Sequence, residues 1–288
     1  MSSEPVIPRP AATVVIARGD EAWEALFLKR HHKSGFMANA YVFPGGRVDV
    51  SDASEGNLAR IQGIDLERLC EQMDGVATAV EAASYVIAVV RETFEEAGIL
   101  LARDRSGAWV DFTDAPTAER FGEWRDRLNA GETSFELLLA QEDLCIAGEG
   151  LYYFDHWVTP AQESRRYDAR FFVVSAPPRQ RGHHDGHETT ESVWCTPRQG
   201  LDAHVRGEMM LPPPTWRVLM DLVRWKDRSE MLGVLSVDPG VIRTEPRMIE
   251  HEGAFALALP GDPEHEASQG RRFGAQRIVL SAGCWIES

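Results

Sequence analysis

Short apolar runs in the first fifty positions predict the beginning of a β-sheet. Residues 12–18 (Ala-Thr-Val-Val-Ile-Ala-Arg) and residues 24–29 (Glu-Ala-Leu-Phe-Leu-Lys) are strand-like in length and rich in side chains that favour strands. Arg18-Gly19-Asp20 supplies turn residues between them, which indicates a hairpin. A third short strand, at residues 41–43, is predicted to stop at Pro44-Gly45-Gly46.

A helical period dominates the next part of the chain. Residues 78–97 repeat apolar side chains every three or four positions, and Gly98 is a typical residue to follow such a helix. We also predict a small helix at about residues 64–73 and mainly helical structure over residues 116–143. The segment of residues 50–77, before the long helix, is polar and variable.

The remaining apolar segments predict further strands, two helices and a tail of different character. We predict strands at residues 151–154, 170–174 and 192–195, and helices that begin at Thr196-Pro197 and near residue 215. Residues 232–288 hold two apolar runs, 254–259 and 277–280, which predict a small β-rich C-terminal extension beyond a main domain at residues 8–228. So small a sheet must cover another surface, either its own main domain or a second subunit in a homodimer.

Composition and charge narrow the class of protein. The chain has 288 residues, 43% of them hydrophobic and 26% charged, which is typical of a globular protein. Its net charge of −15 argues against a nucleic-acid partner, because phosphate backbones bind clustered Lys and Arg. The chain has no apolar run of the ~18 residues that a membrane span needs, residues 1–10 lack a secretory pattern, and the four cysteines lack paired spacing. We therefore expect a cytoplasmic protein without a membrane partner.

The long helix carries an acidic cluster opposite its apolar face. The side that we expect to pack on the sheet consists of Val80, Ala83, Ile87, Val90, Phe94 and Ala97. Glu92, Glu95 and Glu96 fall on the other side, where helical neighbours lie ~5–6 Å apart at Cβ. Their carboxylates repel one another, and a hard cation such as Mg²⁺ or Mn²⁺ would relieve that repulsion. Arg91, one turn before Glu95, is placed to orient its carboxylate.

The ordinary explanation for such a cluster is a solvated helix face. Two features favour a metal site instead. The cluster lies at the C-terminal end of the helix, where the macrodipole disfavours negative charge. It also follows the loop Phe43-Pro44-Gly45-Gly46, whose glycines allow the backbone to approach a ligand closely.

The run from Arg91 to Ile99 resembles the second half of the Nudix box, G-x5-E-x7-R-E-U-x-E-E-x-G-U, where U is aliphatic. Only Thr93 departs from it, at an aliphatic position. The first half departs more, because Gly46 lies 45 residues before Arg91 where the pattern needs 14, so 31 residues are inserted, at about residues 50–77. Eight positions before Arg91 the box has Glu and this chain has Ala83, with Glu81 as a nearby substitute.

The insertion and the sequence R-E-T-F-E-E-A-G-I-L-L resemble the Nudix branch that contains the peroxisomal coenzyme A diphosphatases. Further likeness lies in Trp157-Val158-Thr159-Pro160 and Leu211-Pro212-Pro213-Pro214-Thr215. The resemblance covers about residues 11–225 and leaves out residues 232–288. It implies the Nudix α/β/α sandwich with a mixed sheet, in which the box forms a loop–helix–loop.

The resemblance also implies a site. Glu92, Glu95 and Glu96, with the carbonyl of Gly45, would hold Mg²⁺ or Mn²⁺, and Gly46 would complete the ligand-facing loop. The cation would bridge diphosphate oxygens and lower the pKa of a water molecule for attack on phosphorus.

Two later glutamates complete the candidate catalytic set of Arg91, Glu92, Glu95, Glu188 and Glu191. Glu188 and Glu191 resemble late Nudix glutamates that bind metal or activate water, although a surface strand with alternating charge explains them equally well.

Several aromatic and basic residues allow two interpretations. Arg165, Arg166 and Arg170 would contact substrate phosphates or balance nearby acidic groups. For Trp157 and Tyr167 a place in the core is favoured over stacking on a base.

The expected function is metal-dependent hydrolysis of a diphosphate bond in a small nucleotide-type substrate, with coenzyme A or acyl-coenzyme A as the best match to the branch. One alternative keeps the enzyme class but takes ADP-ribose, NADH or another nucleoside diphosphate derivative. A second is a non-catalytic Nudix-fold module that senses a nucleotide. A third is a metallo-hydrolase that uses the histidines of residues 183–188, where a polar turn is the simpler explanation.

Overall fold

A mixed eight-stranded sheet is the centre of this protein. The computed structural model describes residues 6–35, 37–237, 240–270 and 273–288, so half of the segment 1–10 discussed above lies outside the described residues. The strands are β1 (Arg9–Arg18), β2 (Glu24–Arg30), β3 (Tyr41–Val42), β4 (Gly45–Arg47), β5 (Ile61–Gln62), β6 (Ala102–Arg103), β7 (Cys145–Ala147), β8 (Tyr152–Val158), β9 (Tyr167–Ser175), β10 (Thr189–Cys195), β11 (Arg243–Thr244), β12 (Arg247–His251), β13 (Ala254–Ala258), β14 (Arg277–Ser281) and β15 (Cys284–Glu287). The helices are α1 (Glu55–Leu58), α2 (Leu66–Gln72), α3 (Ala79–Ala97), α4 (Ala115–Asn129), α5 (Phe135–Gln141), α6 (Pro197–Val205), α7 (Pro213–Leu222) and α8 (Arg228–Val237), with a 3-10 helix at Val50–Ala53.

Strands β1 and β2 separate within the main sheet, and the glycine loop lies where they part. Its strands run β10-β2-β1-β9-β8-β11, with β1 parallel to β9 and β11 parallel to β8. β1 and β2 pair only near their hairpin, at Ala17 with Ala25 and at Arg18 with Glu24. Beyond that point β3 pairs with β2 and β4 pairs with β1. The loop between β3 and β4 is therefore held where the two long strands diverge.

Helices cover both faces of this sheet, so the predicted α/β/α sandwich is confirmed. Strand residues alternate between the faces. On one face Val14, Ile16 and Leu28 lie in a core cluster with α3, α4 and α5. On the other face Phe27 lies in a second cluster with Trp216 of α7 and with residues of the C-terminal extension.

Helix α3 has nearly the predicted limits. The Thr78 side chain accepts the N–H of Glu81 at the N-terminus, and Gly98 ends the helix in the left-handed conformation, at φ 63°. The predicted apolar face is buried except at Val80, which is 50% exposed, so its predicted burial was wrong. Val80 is the second residue of α3, and its side chain is turned to solvent, whereas Ala82 in the same turn is fully buried.

Two segments between the core elements meet in a small sheet of their own. Its strand order is β5-β7-β6, with β5 parallel to β7. β5 lies in the segment inserted in the box, whereas β6 and β7 flank α4 and α5. The sheet thus joins the chain on both sides of α3.

The C-terminal extension is β-rich as predicted, with one helix that the sequence analysis missed. β12, β13, β14 and β15 form an antiparallel sheet in that order. Helix α8 spans the predicted limit of the main domain at residue 228, and β11 pairs with β8 of the main sheet. The extension therefore packs on its own main domain in this structure. In the described ranges no helix is both long and apolar enough to cross a membrane.

Candidate active site

The glycine loop brings backbone against the carboxylates of α3. The Gly45 N–H donates a 2.9 Å hydrogen bond to Oε2 of Glu96. Gly45 has a φ of +151°, and a Cβ atom there would overlap the backbone of Ala12, so only glycine fits. A Cβ atom on Gly46 would overlap the carboxylate of Glu92. Both glycines are therefore needed for the close approach that the sequence predicted.

Arg91 connects α3 to strand β4 after the glycine loop and to the 3-10 helix that follows it. Its Nη1 donates to Oε1 of Glu92 at 2.9 Å and to Oε2 of Glu95 at 3.0 Å, so the predicted contact one turn along the helix is present. Its Nη2 donates to the carbonyl of Arg47 at 2.9 Å. The other edge of the guanidinium binds Asp52, with Nε at 2.8 Å from Oδ1 and Nη2 at 2.9 Å from Oδ2.

Asp52 is a site residue that the sequence analysis missed. It lies six positions after Gly46, which is the box position of the first glutamate counted forward from the glycine. Counting eight positions backward from Arg91 gives Ala83, with Glu81 as the nearby substitute, and the prediction of Glu81 for this role is wrong. The Glu81 carboxylate instead accepts the N–H of Ala77 at the start of α3. The inserted residues therefore follow Asp52.

The acidic cluster is not a solvated helix face. Side-chain exposure is 15% for Glu92 and 20% for Glu95, and Glu96 is buried. Burial raises the pKa of Glu92 to about 7, with repulsion from Glu95 and Glu188 adding to it. Burial also raises the pKa of Glu95, and burial together with repulsion from Glu92 raises that of Glu96. Ionising these three buried carboxyls together therefore costs free energy.

The structure separates the two late glutamates. Glu188 is an exposed residue just before β10. Burial is the main cause of the raised pKa values of Glu92 and Glu96, and the negative charge of Glu188 is near enough to raise them further. Glu191 accepts a 2.9 Å hydrogen bond from the Tyr41 hydroxyl and pairs with Lys29 at 3.4 Å. These partners lie on the sheet face away from α3, so the structure does not bring Glu191 to the cluster.

The candidate phosphate-binding arginines have structural partners. Arg166 is buried and donates to the carbonyls of Thr159 and Val6. Arg170 is also buried and donates to Oδ1 of Asp168 at 2.6 Å. These two arginines therefore balance and connect local groups, which was the second of the two interpretations.

The other candidates of this group differ in burial. Arg165 is exposed and donates to the carbonyl of Gly35 at 2.9 Å. Trp157 is buried in the second core cluster, as predicted, and Tyr167 is half-buried.

Residues 183–188 form a polar turn, as the simpler interpretation predicted. The Asp185 carboxylate accepts the N–H groups of His187, Glu188 and Thr189. Nε2 of His183 lies 3.2 Å from Arg125. Within the ranges that the structure describes, no group of three or more His, Cys, Asp or Glu side chains is arranged as a metal site.

The chemistry of the carboxylate cluster nevertheless fits a divalent cation. Glu92 and Glu95 share one guanidinium nitrogen of Arg91, and Glu96 is bonded to the backbone of Gly45. These are oxygen donors, which Mg²⁺ and Mn²⁺ prefer. Burial, the largest cause, keeps the pKa values of all three carboxyls raised, although the Arg91 guanidinium acts to lower those of Glu92 and Glu95.

Comparison with known proteins agrees with this geometry. A family profile described as the NUDT19 Nudix domain matches residues 8–224. The chain is 29% identical over 294 residues to a Xenopus laevis protein named acyl-coenzyme A diphosphatase NUDT19, a match that covers 90% of this chain and 76% of that protein. The Gallus gallus protein of the same name is 28% identical over 331 residues, covering 97% of this chain and 85% of the relative.

One match extends the predicted resemblance, and a solved structure shares the fold. With 97% of the chain covered, the likeness to the Gallus gallus protein includes most of residues 232–288, which the predicted resemblance had left out. The crystal structure of a NUDIX hydrolase from Alicyclobacillus acidocaldarius superimposes with a TM-score of 0.67 at 27% identity, covering 81% of this chain and 99% of that one. The fold and the sequence motif thus point to the same family.

Proposed function

The chain belongs to the family described as the NUDT19 Nudix domain, and on that premise we propose that this Nudix pyrophosphohydrolase acts on coenzyme A or acyl-coenzyme A. The box motif predicted the Nudix superfamily, and the insertion in the box predicted the branch. Relatives that carry acyl-coenzyme A in their names match at 27–29% identity over most of their length. The observation that supports chemistry most directly is the buried cluster of Glu92, Glu95 and Glu96 against the glycine loop. The reaction would add water across the diphosphate and release 3′,5′-ADP and a phosphopantetheine.

The residues around the cluster have distinct proposed roles. Glu92, Glu95 and Glu96, with the backbone of Gly45, would hold Mg²⁺ or Mn²⁺, which when bound supplies positive charge to the diphosphate and acidity to a water molecule. Arg91 orients Glu92 and Glu95 through Nη1. Gly46 leaves room for the Glu92 carboxylate beside the loop.

Glu188 is the proposed general base. It is exposed, so a water molecule can reach it, and its charge acts on Glu92 and Glu96, which places it close enough to the cluster to take a proton from a water molecule held there. Glu191 is a weaker proposal for this role, because its carboxylate is already bonded to Tyr41 and Lys29.

A substrate panel tests the proposal. Turnover of coenzyme A, acetyl-coenzyme A, ADP-ribose, NADH and diadenosine polyphosphates is measured with Mg²⁺, with Mn²⁺ and with EDTA, and products are identified by mass. We expect the highest kcat/KM for a coenzyme A compound and none with EDTA. Tenfold higher kcat/KM for ADP-ribose would replace the proposed substrate, and undiminished turnover in EDTA would remove the metal from the mechanism.

The same assay tests the carboxylate cluster. Glu95→Gln and Glu96→Gln should each lower kcat by at least ~10²-fold, as expected when charge stabilisation of the transition state is lost. Glu81→Gln is the matched control, because Glu81 is on the same helix and caps its far end. Wild-type turnover in either of the first two variants would exclude the cluster from catalysis.

A further inference from the structure

Arg125 is a buried arginine at the C-terminal end of α3. It comes from α4, outside the box motif. Its Nε donates to the carbonyl oxygen of Glu95 at 2.9 Å, and its Nη2 donates to the carbonyl oxygen of His183 at 3.0 Å. Its Nη1 lies 3.2 Å from Nε2 of His183, and because a guanidinium only donates, this imidazole nitrogen accepts. One side chain thus joins α3 to the segment of residues 183–188.

This arginine is not one half of an ordinary ion pair. It is 6% exposed, and among the described residues its hydrogen bonds go to two backbone carbonyls and an imidazole. Burial lowers the pKa of Arg125, which shows that desolvation disfavours the charge there. The last turn of α3 contains acidic residues and no basic one, although a helix C-terminus favours a cation. Arg125 supplies that cation from a different helix.

The segment of residues 183–188 is fixed at successive points as far as Glu188. The His183 N–H donates to the carbonyl of Ala97 at 2.8 Å. The Asp185 carboxylate accepts the N–H of Glu188 at 3.0 Å, and the Glu188 carbonyl accepts the N–H of His31 at 2.9 Å. Since the backbone of Glu188 is bonded on both sides, its carboxylate follows the position of this segment.

Gly98 allows α3 and the segment to approach each other. A Cβ atom on Gly98 would lie 2.9 Å from Nη1 of Arg125 and 3.1 Å from Cε1 of His183, which is tighter than normal contact. The glycine that ends α3 therefore also makes space for the Arg125–His183 contact.

We propose that Arg125 is a positioning residue: by joining the C-terminal end of α3 to residues 183–188, it holds Glu188 beside the carboxylates of α3. The inference rests on the proposed function in one respect, the role of Glu188 as general base. It adds a residue from α4, outside the box, to the machinery of the site.

A double-mutant cycle tests this role. Arg125→Gln should lower kcat of the metal-loaded enzyme about tenfold to a hundredfold with KM within about twofold, because a small displacement of a catalytic group has effects of that size. In the Glu188→Gln background the same change should alter kcat by less than about twofold, because the group that Arg125 positions is already absent. Equal losses in both backgrounds would overturn the proposal.

Two further variants separate the role of Arg125 from a general effect of mutating α4 and from loss of folding. Arg120→Gln is the matched control, because Arg120 is on the same helix, 50% exposed and paired with Glu142, and it should keep wild-type kcat. Asp185→Ala loosens the same segment by removing the carboxylate that accepts its backbone N–H groups, so it should reproduce the kcat loss even if Arg125→Gln fails to fold. A kcat of Asp185→Ala equal to that of wild type would overturn the proposal.

Amide hydrogen exchange separates failure of this proposal from failure of the proposed function. Exchange at residues 183–189 should become at least tenfold faster in Arg125→Gln and stay unchanged in Arg120→Gln, whether or not coenzyme A is the substrate. Unchanged exchange in Arg125→Gln would overturn the positioning role and leave the diphosphatase activity standing. Faster exchange together with wild-type kcat in Glu188→Gln would likewise show that Arg125 positions no catalytic group.

Discussion

The guanidinium of Arg91 bonds to carboxylates from two distant parts of the chain, and Asp52 is its bidentate partner. We expect Asp52→Asn to lower the free energy of unfolding by about 3–5 kcal/mol, as is usual when one partner of a buried pair is removed. It should also lower kcat, because Arg91 would no longer be held in place to orient Glu92 and Glu95. Urea unfolding and steady-state kinetics measure the two effects.

Asp49→Asn is the control for that experiment. Asp49 lies 3.7 Å from Arg91 but its side chain is 56% exposed, so solvent screens the interaction. We expect a change below about 1 kcal/mol. Similar losses for the two variants would show that Arg91 does not depend on the bidentate contact.

The raised pKa values of the cluster predict how stability depends on pH. Burial raises the pKa of Glu92 from 4.5 to about 7, so between these values the folded protein holds a proton that the unfolded chain has released. The free energy of unfolding contributed by this group is therefore lost as pH rises through that window. In EDTA, Glu92→Gln should gain stability relative to wild type by more than ~1 kcal/mol between pH 5 and pH 8, since one pKa unit corresponds to about 1.4 kcal/mol.

Urea unfolding of both proteins at the two pH values gives this difference. Saturating Mg²⁺ should reduce it, because the cation stabilises the ionised cluster only in wild type. A difference that does not change with pH would mean that Glu92 titrates normally in the folded protein.

Sequence periodicity and spacing can predict some residues of the site but not the sheet face on which Glu191 lies. The helical period placed the three glutamates of α3 together, and counting forward from Gly46 would have found Asp52. The face of Glu191 was not predictable. Thr189 pairs with Arg30 and Glu191 with Lys29, so the strand contains a bulge between them. One extra residue reverses the alternation of side chains, and Glu191 moves to the face away from α3.

At the scale of elements, the glycine loop sets the position of a carboxylate on the helix. A Cβ atom on Gly46 would overlap the Glu92 carboxylate, whose end can move because it is a flexible side chain. We expect Gly46→Ala to weaken Mn²⁺ binding and lower kcat at least tenfold, while the free energy of unfolding changes by about 1 kcal/mol or less. Titration with Mn²⁺ and kinetics test this.

Gly122→Ala is the matched control, since a Cβ atom on this residue of α4 would meet nothing within 4 Å. It should keep metal binding and gain up to ~1 kcal/mol of stability from helix propensity. Normal Mn²⁺ binding in Gly46→Ala would mean that Glu92 is not a ligand.

Element prediction from sequence succeeded where periodicity was strong and failed where tertiary contacts decide. The limits of α3 follow from its regular apolar spacing and from Gly98. Helix α8 was missed because Arg228–Val237 contains Gly233 and little amphipathic pattern. Its burial of Met231 and Leu235 against the second core cluster stabilises it, and such contacts are not visible in a local pattern.

At the scale of the whole molecule, Arg217 of α7 ties the main domain to the C-terminal extension. It is fully buried and bonds to Asp221 at 3.0 Å and to Glu287 at 2.6 Å. Arg217→Met should lower the free energy of unfolding by about 3–5 kcal/mol, because it removes the buried positive charge to which Asp221 and Glu287 are bonded. The kcat of the folded fraction should stay at the wild-type value, since the residue lies on the sheet face away from α3.

Arg206→Met is the control for this contact, because Arg206 pairs with Glu208 on the surface and both side chains are more than half exposed. We expect a change below about 1 kcal/mol in thermal or urea unfolding. Equal stability of the two variants would contradict a structural role for the extension, and a lower kcat in Arg217→Met would place the extension in the active site.

The small sheet has a consequence for the order in which the chain folds. Ile61 of β5 pairs with Ile146 of β7, and all of α3 lies between them in the sequence. Each pairing in that sheet involves only two residues of a strand, so it contributes few hydrogen bonds against the entropy of closing a long loop. Such contacts form late, after more local ones have reduced the length of chain to be closed. Helix α3 is therefore expected to dock on β1 first, and the segments on either side of it in the chain to pair with each other afterwards.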